Sequence, residues 1–267
     1  MFHFRADPAT VDILQAGKVS LVNLANNHAL DFGATGLIDT IRHLKSAGIA
    51  TVGAGENAAA AAAPAVVHAG NVGLGILGAT DGMPEFAAGV DRPGTNVVEF
   101  ESVDAARKAL EPAVAALRLA GARVVIASLH WGPNMRATPR RRIQRFARRA
   151  LALGVDIIHG HSAHIVHGIE TIGGRLVLYD TGDFLTDYWK FPFRRNKWSF
   201  VFLVDVDEAG PRTVRLIPVV LRSNRLERAG GRKLFAICER MRAKSSAFGT
   251  MLRLEQDELV LPLIDRP

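Results

Sequence analysis

VSLVNLANNHALDFG, residues 19–33, holds the change of period that decides the fold class. Val19 to Leu24 is a short apolar run and reads as a buried strand. From Gly33 to Ala47 the apolar positions Leu37, Ile38, Ile41 and Leu44 recur at helical spacing, and Gly48 is the stop. Between strand and helix sit Asn26, Asn27 and His28, polar groups placed where a strand ends. The same unit repeats along the chain. Gly73 to Ala79 and Val124 to Leu129 read as further buried strands, and Ser102 precedes a helical stretch carrying Val103, Ala106, Leu110, Val114 and Leu117, which closes at Gly121. Thr138, with Pro139 at the first helical position, is expected to start a helix that buries Ile143, Phe146, Ala147 and Ala150. Ile157 to His159 and Leu176 to Tyr179 follow as strands.

Beyond Tyr188 the pattern becomes antiparallel. Ser199 to Val206 and Thr213 to Leu221 flank a turn at 207–211, and a helix near 232–242 and a hairpin near 252–261 complete the chain. Alternating units followed by strand pairs predict an α/β protein of mixed sheets covered by helices. With no Ser/Gly-rich linker, one domain over 1–267 is expected.

Composition narrows the function classes. The 267 residues include 33 basic and 26 acidic side chains, a net charge of +7, and 48% are hydrophobic, which fits a globular chain. A single cysteine, Cys238, excludes an internal disulfide framework and a Cys-rich metal cage; it reads as a small core hydrophobe. No apolar run is long enough for a spanning helix and no secretory h-region is visible, so a cytoplasmic location is the default expectation. Of the basic residues 26 are Arg, a bias that lowers the weight of the charge as a nucleic-acid signal, and no nucleic-acid-binding motif accompanies it.

The nine histidines are clustered. His28 follows the first strand, His130 ends the Val124 strand, and His159, His161, His164 and His167 crowd the segment after Ile157. The carboxyl ends of strands are where ligands bind in α/β sheets. Imidazole and amide donors without thiolate suit Mn, Fe or Zn, and two such ions would clamp a phosphate and activate water. Gly160 is expected to let the chain turn sharply so that His161 and His164 face one centre. Set against this, a single strand-end His is more often a hydrogen-bonded surface residue, and Asn26-Asn27 also suits plain turn chemistry. Arg136, Arg140, Arg141, Arg142, Arg145, Arg148 and Arg149 form either the solvated face of a helix or a funnel for an anionic substrate, with Arg136 and Arg140 nearest the His130 loop. Asp183 and Asp187 read as supporting or turn residues. The aromatic run Tyr188, Trp189, Phe191, Phe193 and Trp198, among Arg194, Arg195 and Lys197, reads as a lid, an interface or a folded-back loop.

Four motifs in order, LANNHALDFG at 24–33, LHWG at 129–132, GHSAH at 160–164 and YDTGDF at 179–184, resemble the CapA family of poly-γ-glutamate capsule biosynthesis proteins, within the calcineurin-like metallophosphoesterases. The resemblance covers roughly residues 2–221. It implies a four-layer αββα sandwich of two mixed β-sheets. It also implies a centre of two divalent metal ions (Mn, Fe or Zn) with Asn27, His130, His161 and His164 as ligands. His28 would act as the catalytic acid, oriented by Asp31; Asn26, Arg136, Arg140 and Asp183 would contact substrate. The substrate implied is an anionic small molecule or polymer, a phosphoester or poly-γ-glutamate, with a capsule synthase as partner. The alternative is a non-catalytic accessory protein on the same scaffold. The family's upstream Gly-Asp and Asn-Leu-Glu motifs, which supply acidic ligands, are absent from this sequence. An N-terminal truncation, the loss of the first strand or strands and a weakened site are the expectation, with an exported or anchored form open.

Overall fold

The computed structural model describes residues 2–185, 197–222 and 225–263. Asp187, Tyr188, Trp189, Phe191, Phe193, Arg194 and Arg195 lie outside the described residues. The chain forms two compact units, Met1–His130 with Ala152–Val155, and Trp131–Leu151 with Asp156–Pro267.

The first unit runs α1 (Thr10–Ala16), β1 (Leu21–Asn23), α2 (Gly33–Ser46), β2 (Ala50–Val52), β3 (Ala54–Gly55), α3 (Ala58–Ala62), β4 (Ala65–Ala69), β5 (Val72–Thr80), β6 (Gly94–Thr95), α4 (Val103–Leu119) and β7 (Val124–His130). β1 pairs in parallel with β2, Leu21 opposite Ala50. β5 is antiparallel to β4 and parallel to β7, with Thr80 opposite His130. The parallel pair needs a crossover, and α4 supplies it. That helix buries Ala106, Leu110, Val114 and Leu117, and the Ser102 hydroxyl accepts from the Ala105 N–H as its cap.

An amide inside β1 locks this unit together. Asn23 Nδ2 donates to the Ser128 carbonyl at 2.9 Å and to its hydroxyl at 3.1 Å, and Asn23 Oδ1 accepts from Ala25 N at 2.9 Å. Gly78 on β5 leaves the room: a Cβ there would lie 2.5 Å from Asn23 Oδ1. The strand-to-helix loop that carries Asn26, Asn27 and His28 is therefore anchored to β7 at its root.

The second unit runs α5 (Arg141–Ala152), β8 (Ile157–His161), β9 (Ile169–Ile172), β10 (Arg175–Leu178), β11 (Trp198–Asp207), β12 (Gly210–Leu221), β13 (Leu226–Arg228), α6 (Gly231–Ser246), β14 (Arg253–Glu255) and β15 (Glu258–Pro262). β10 lies between β8, its parallel neighbour, and β9, its antiparallel one. A second sheet, β11-β12-β15-β14 with β13 beside β12, is antiparallel throughout. α6 packs on β9 and β12 and buries Leu234, Ile237, Cys238 and Met241. Sheets of mixed pairing covered by helices make this the α/β, metallophosphoesterase-like architecture that the sequence predicts. Among the described residues no helix is long and apolar enough to cross a membrane.

Two local expectations are corrected. The helix predicted to start at Thr138-Pro139 begins at Arg141. The carbonyls of Thr138 and Pro139 are taken instead by the side chains of Arg136 (Nε, 3.1 Å) and Gln144 (Nε2, 3.2 Å). Gly160 is not a turn: it lies within β8, and the left-handed residues nearby are Ser162 (φ 127°) and His164 (φ 56°). Its lack of a side chain matters for space, because a Cβ would strike the Tyr179 carbonyl and the Trp131 indole nitrogen.

Candidate functional site

In the first unit the loop after β1 holds Asn26, Asn27 and His28, all half-buried. Asn26 Oδ1 accepts from the His28 N–H at 2.8 Å, an Asx turn that fixes the histidine backbone. His28 Nδ1 lies 2.9 Å from Asp31 Oδ2, and the same carboxylate oxygen accepts from Phe4 N at 2.8 Å. The Asp31 side chain is nearly buried, at 5% exposure. A carboxylate only accepts, so neutral His28 carries its hydrogen on Nδ1 and presents a bare Nε2. Phe4 packs edge-on against the imidazole, ring centres 4.4 Å apart. Arg5, Asn26, His28, Asp31, Thr40 and His43 are among the groups lining a cleft of about 790 Å³ within this unit. His130, at the end of β7, has Nδ1 3.2 Å from Thr80 Oγ1 on the neighbouring strand.

In the second unit the loop after β8 is held from β10. Asp180 Oδ2 accepts from Ala163 N at 2.7 Å and its Oδ1 from Gly182 N at 2.8 Å. Burial pushes the Asp180 carboxyl up to about 7, against the pull of those two N–H donors. His164 Nδ1 lies 2.6 Å from Asp183 Oδ1, and that hydrogen bond raises its pKa. The carboxylate thus holds the ring by Nδ1, the arrangement in which a carboxylate orients a ligand histidine. His161 stacks obliquely on His159, ring centres 5.4 Å apart. Burial lowers His159 to about 4, so it is neutral at physiological pH. Arg136 and Arg140 line, with Trp131, Thr138, Ile143 and His167, a cavity of about 10 Å³.

In the first unit Asn26, Asn27, His28 and Asp31 share one loop and His130 ends β7 beside Thr80; in the second, His164 pairs with Asp183 and His161 lies against His159. The donor chemistry suits an imidazole-bound ion at His164. However, among the described residues no three His, Cys, Asp or Glu side chains gather closely enough to hold a metal ion. Within either unit, the described donors do not by themselves assemble a two-metal centre.

Three supporting residues escape a reading of the sequence: Asn23, Thr80 and Asp180. Asn23 had a signal, a lone amide within an apolar strand. Asp180 had one too, since it sits in the same YDTGDF segment as Asp183. Thr80 had none, because only the β5–β7 register brings it to His130.

The family described as bacterial capsule synthesis protein PGA_cap matches residues 1–188. The chain is 36% identical over 239 residues to a probable polyglutamine synthesis accessory protein of Mycobacterium tuberculosis, covering 85% of this chain and 62% of that protein. It is 30% identical over 222 residues to the capsule biosynthesis protein CapA of Bacillus anthracis, covering 81% of this chain and 51% of the relative. With the PGA biosynthesis protein CapA of Bacillus subtilis it shares 29% identity over 191 residues, 69% of this chain and 47% of the relative. The chain thus spans at most 62% of the length of these relatives. With a match of that extent to the family and its four motifs laid out on the fold above, the chain belongs to the bacterial capsule synthesis protein family PGA_cap.

Proposed function

We propose that this chain serves the synthesis of a glutamate-based capsule polymer as a phosphoester-type hydrolase whose proton-moving group is His28. One observation carries the reading: His28, held through Nδ1 by Asp31, stands on the wall of the 790 Å³ cleft. A concave site with a few convergent polar groups is the usual form of a substrate pocket. Asp31 fixes the tautomer and supports the charged imidazolium, so Nε2 can hold a proton and release it to a leaving oxygen. Arg5, on the same cleft, supplies a positive charge for an anionic group. Among the described residues no three His, Cys, Asp or Glu side chains gather closely enough to hold a metal ion, so the proton transfer rests on His28 and Asp31.

The test is hydrolysis of a generic phosphodiester with and without Mn²⁺. His28→Asn should lower kcat by about 10²-fold or more, and Asp31→Asn by less. Turnover that is indifferent to His28→Asn would overturn the reading.

A second reading is favoured by the name of the Mycobacterium relative, a probable accessory protein of polyglutamine synthesis. Here the chain binds the anionic polymer or a synthase partner without turning it over. It predicts saturable binding of poly-γ-glutamate that survives His28→Asn.

A further inference from the structure

The arginines of α5 are not distributed like those of the other long helices. α2 pairs Arg42 with Asp39, α4 pairs Arg107 with Glu111, and α6 pairs Arg242 with Glu239, each within one turn. α5, RRIQRFARRALA, carries five arginines and no acidic residue. Its twelve residues therefore carry a net charge of +5, in a chain whose net charge is +7.

The helix is sharply two-faced. Ile143, Phe146, Ala147, Ala150 and Leu151 are buried. At about 100° per residue, Arg148, Arg141, Arg145 and Arg149 fall within an arc of about 100° on the opposite side. Arg148 reaches back to the buried Glu170 at 2.8 Å. Arg141 and Arg145 are exposed and Arg149 is half-buried, and among the described residues none of the three meets a carboxylate. They follow one another at i, i+4 and i+8, which spaces their Cα atoms by about 6 Å along the axis. Like charges at that spacing repel and weaken a helix by a few tenths of a kcal/mol per pair. A composition bias toward arginine would not remove the acidic partners from this helix alone. A stretch that breaks the local charge rule without a gain inside the fold points to an external partner.

We propose that the Arg141–Arg145–Arg149 row is a docking surface for an extended polycarboxylate, a glutamate polymer. Charge complementarity selects a polyanion, and the planar guanidinium fork matches a carboxylate in bidentate fashion. A γ-linked glutamate repeat has five backbone bonds, so an extended chain advances roughly 6 Å per residue, the rise of one arginine to the next. The charge repeat of the polymer is thus of the same length as the step of the row. The row is distinct from the His28 cleft, which lies in the other unit. The proposal rests on the polymer-handling reading above and adds the surface on which the polymer lies.

The experiment measures binding of poly-γ-glutamate of defined length to the whole chain at low and moderate salt. The variants are Arg141→Gln/Arg145→Gln/Arg149→Gln and the charge-keeping Arg141→Lys/Arg145→Lys/Arg149→Lys. Wild type should bind, with affinity falling as salt rises; the Gln triple should lose roughly tenfold or more, and the Lys triple should keep most of it. Thermal unfolding of the Gln triple should be unchanged or shifted upward, since repulsion is removed, which separates lost binding from lost fold. Wild-type binding that the Gln triple retains overturns the docking surface while leaving the polymer-handling reading intact. Failure of wild type to bind at all overturns both. If duplex DNA of matched charge, or vesicles of anionic lipid, bind as tightly and depend on the same three arginines, a polyphosphate partner replaces the polycarboxylate and the proposal falls.

Discussion

The Trp131 indole N–H donates to the Tyr179 carbonyl at 2.8 Å, across the space that a side chain at position 160 would need. Both rings are buried and roughly stacked, centres 6.4 Å apart. This bond joins the segment after β7 to the end of β10, and β8 with its histidine loop passes between them. Gly160→Ala should therefore cost about 1–3 kcal/mol, as overpacked cores do, and should displace His161. Urea unfolding and the His161 imidazole NMR signals check it. A stable variant with unchanged His161 shifts would show that β8 has slack the structure does not suggest.

Tyr179 also donates its hydroxyl to Glu170, whose other oxygen takes the Arg148 guanidinium at 2.8 Å. Glu170 is buried. Burial, with the Glu170 contact, raises the Tyr179 hydroxyl far above its ordinary range. Tyr179→Phe removes a donor from a buried carboxylate and should destabilise by about 1–3 kcal/mol. Glu170→Gln, which keeps an acceptor oxygen for the hydroxyl, should cost less. Equal losses in the two variants, read from denaturant midpoints, would argue against the carboxylate as the centre of the network.

His167 makes stability fall in acid. Its Nε2 pairs with the Arg136 carbonyl at 2.8 Å, and its buried Nδ1 has no partner among the described residues. A carbonyl only accepts, so Nε2 carries the hydrogen and the ring is neutral. Burial pushes its pKa down to about 4, and the Lys244 and Arg136 charges act in the same direction. The unfolded chain takes up this proton near the ordinary value of about 6.5 and the native chain only near 4. The neutral ring costs nothing above that window; as pH falls through it the native state loses up to about 3 kcal/mol relative to the unfolded one. Asp180, raised to about 7, acts in the opposite direction between its native and ordinary values, so the comparison must be between variants. His167→Gln should flatten the fall in urea midpoint from pH 6.5 to 4.5. Parallel curves for wild type and variant would remove His167 from the explanation.

Asn23 anchors the loop that presents His28. Asn23→Ala leaves the space beside Gly78 empty and removes the amide that donates to the Ser128 carbonyl, and should cost about 1–3 kcal/mol. Its effect on any hydrolysis should exceed that of Ser102→Ala, which removes only the α4 cap and costs about 1 kcal/mol. Matched unfolding and activity measurements on the two variants decide the order.

Much of the fold is legible in the residues alone, because its signals are local. The period change at 19–33 predicts β1 and α2, and the apolar positions 106, 110, 114 and 117, closed by Gly121, predict α4. The alternation at 199–221 predicts the hairpin of β11 and β12. What escapes is short or depends on partners. β2, β3, β6 and β13 have three residues or fewer, too few for a period to show, and exist only where another strand pairs with them. The Thr138-Pro139 start fails because side chains from Arg136 and Gln144 take the carbonyls a helix would use, a competition no propensity records.

The sequence by itself determined which chemical groups stand at the ends of strands: amide and imidazole after β1, imidazole after β7 and β8, carboxylates after β10. Residue type and local period suffice for that. Only the tertiary structure decided which nitrogen of each imidazole is committed, since the Asp31, Thr80 and Asp183 contacts are made by folding. It also decided that Gly160 serves as space rather than as a turn, and that Arg141, Arg145 and Arg149 of α5 meet no carboxylate among the described residues while Arg148 reaches Glu170. Those outcomes turn on distances of a few ångströms between residues that only the packed chain brings together.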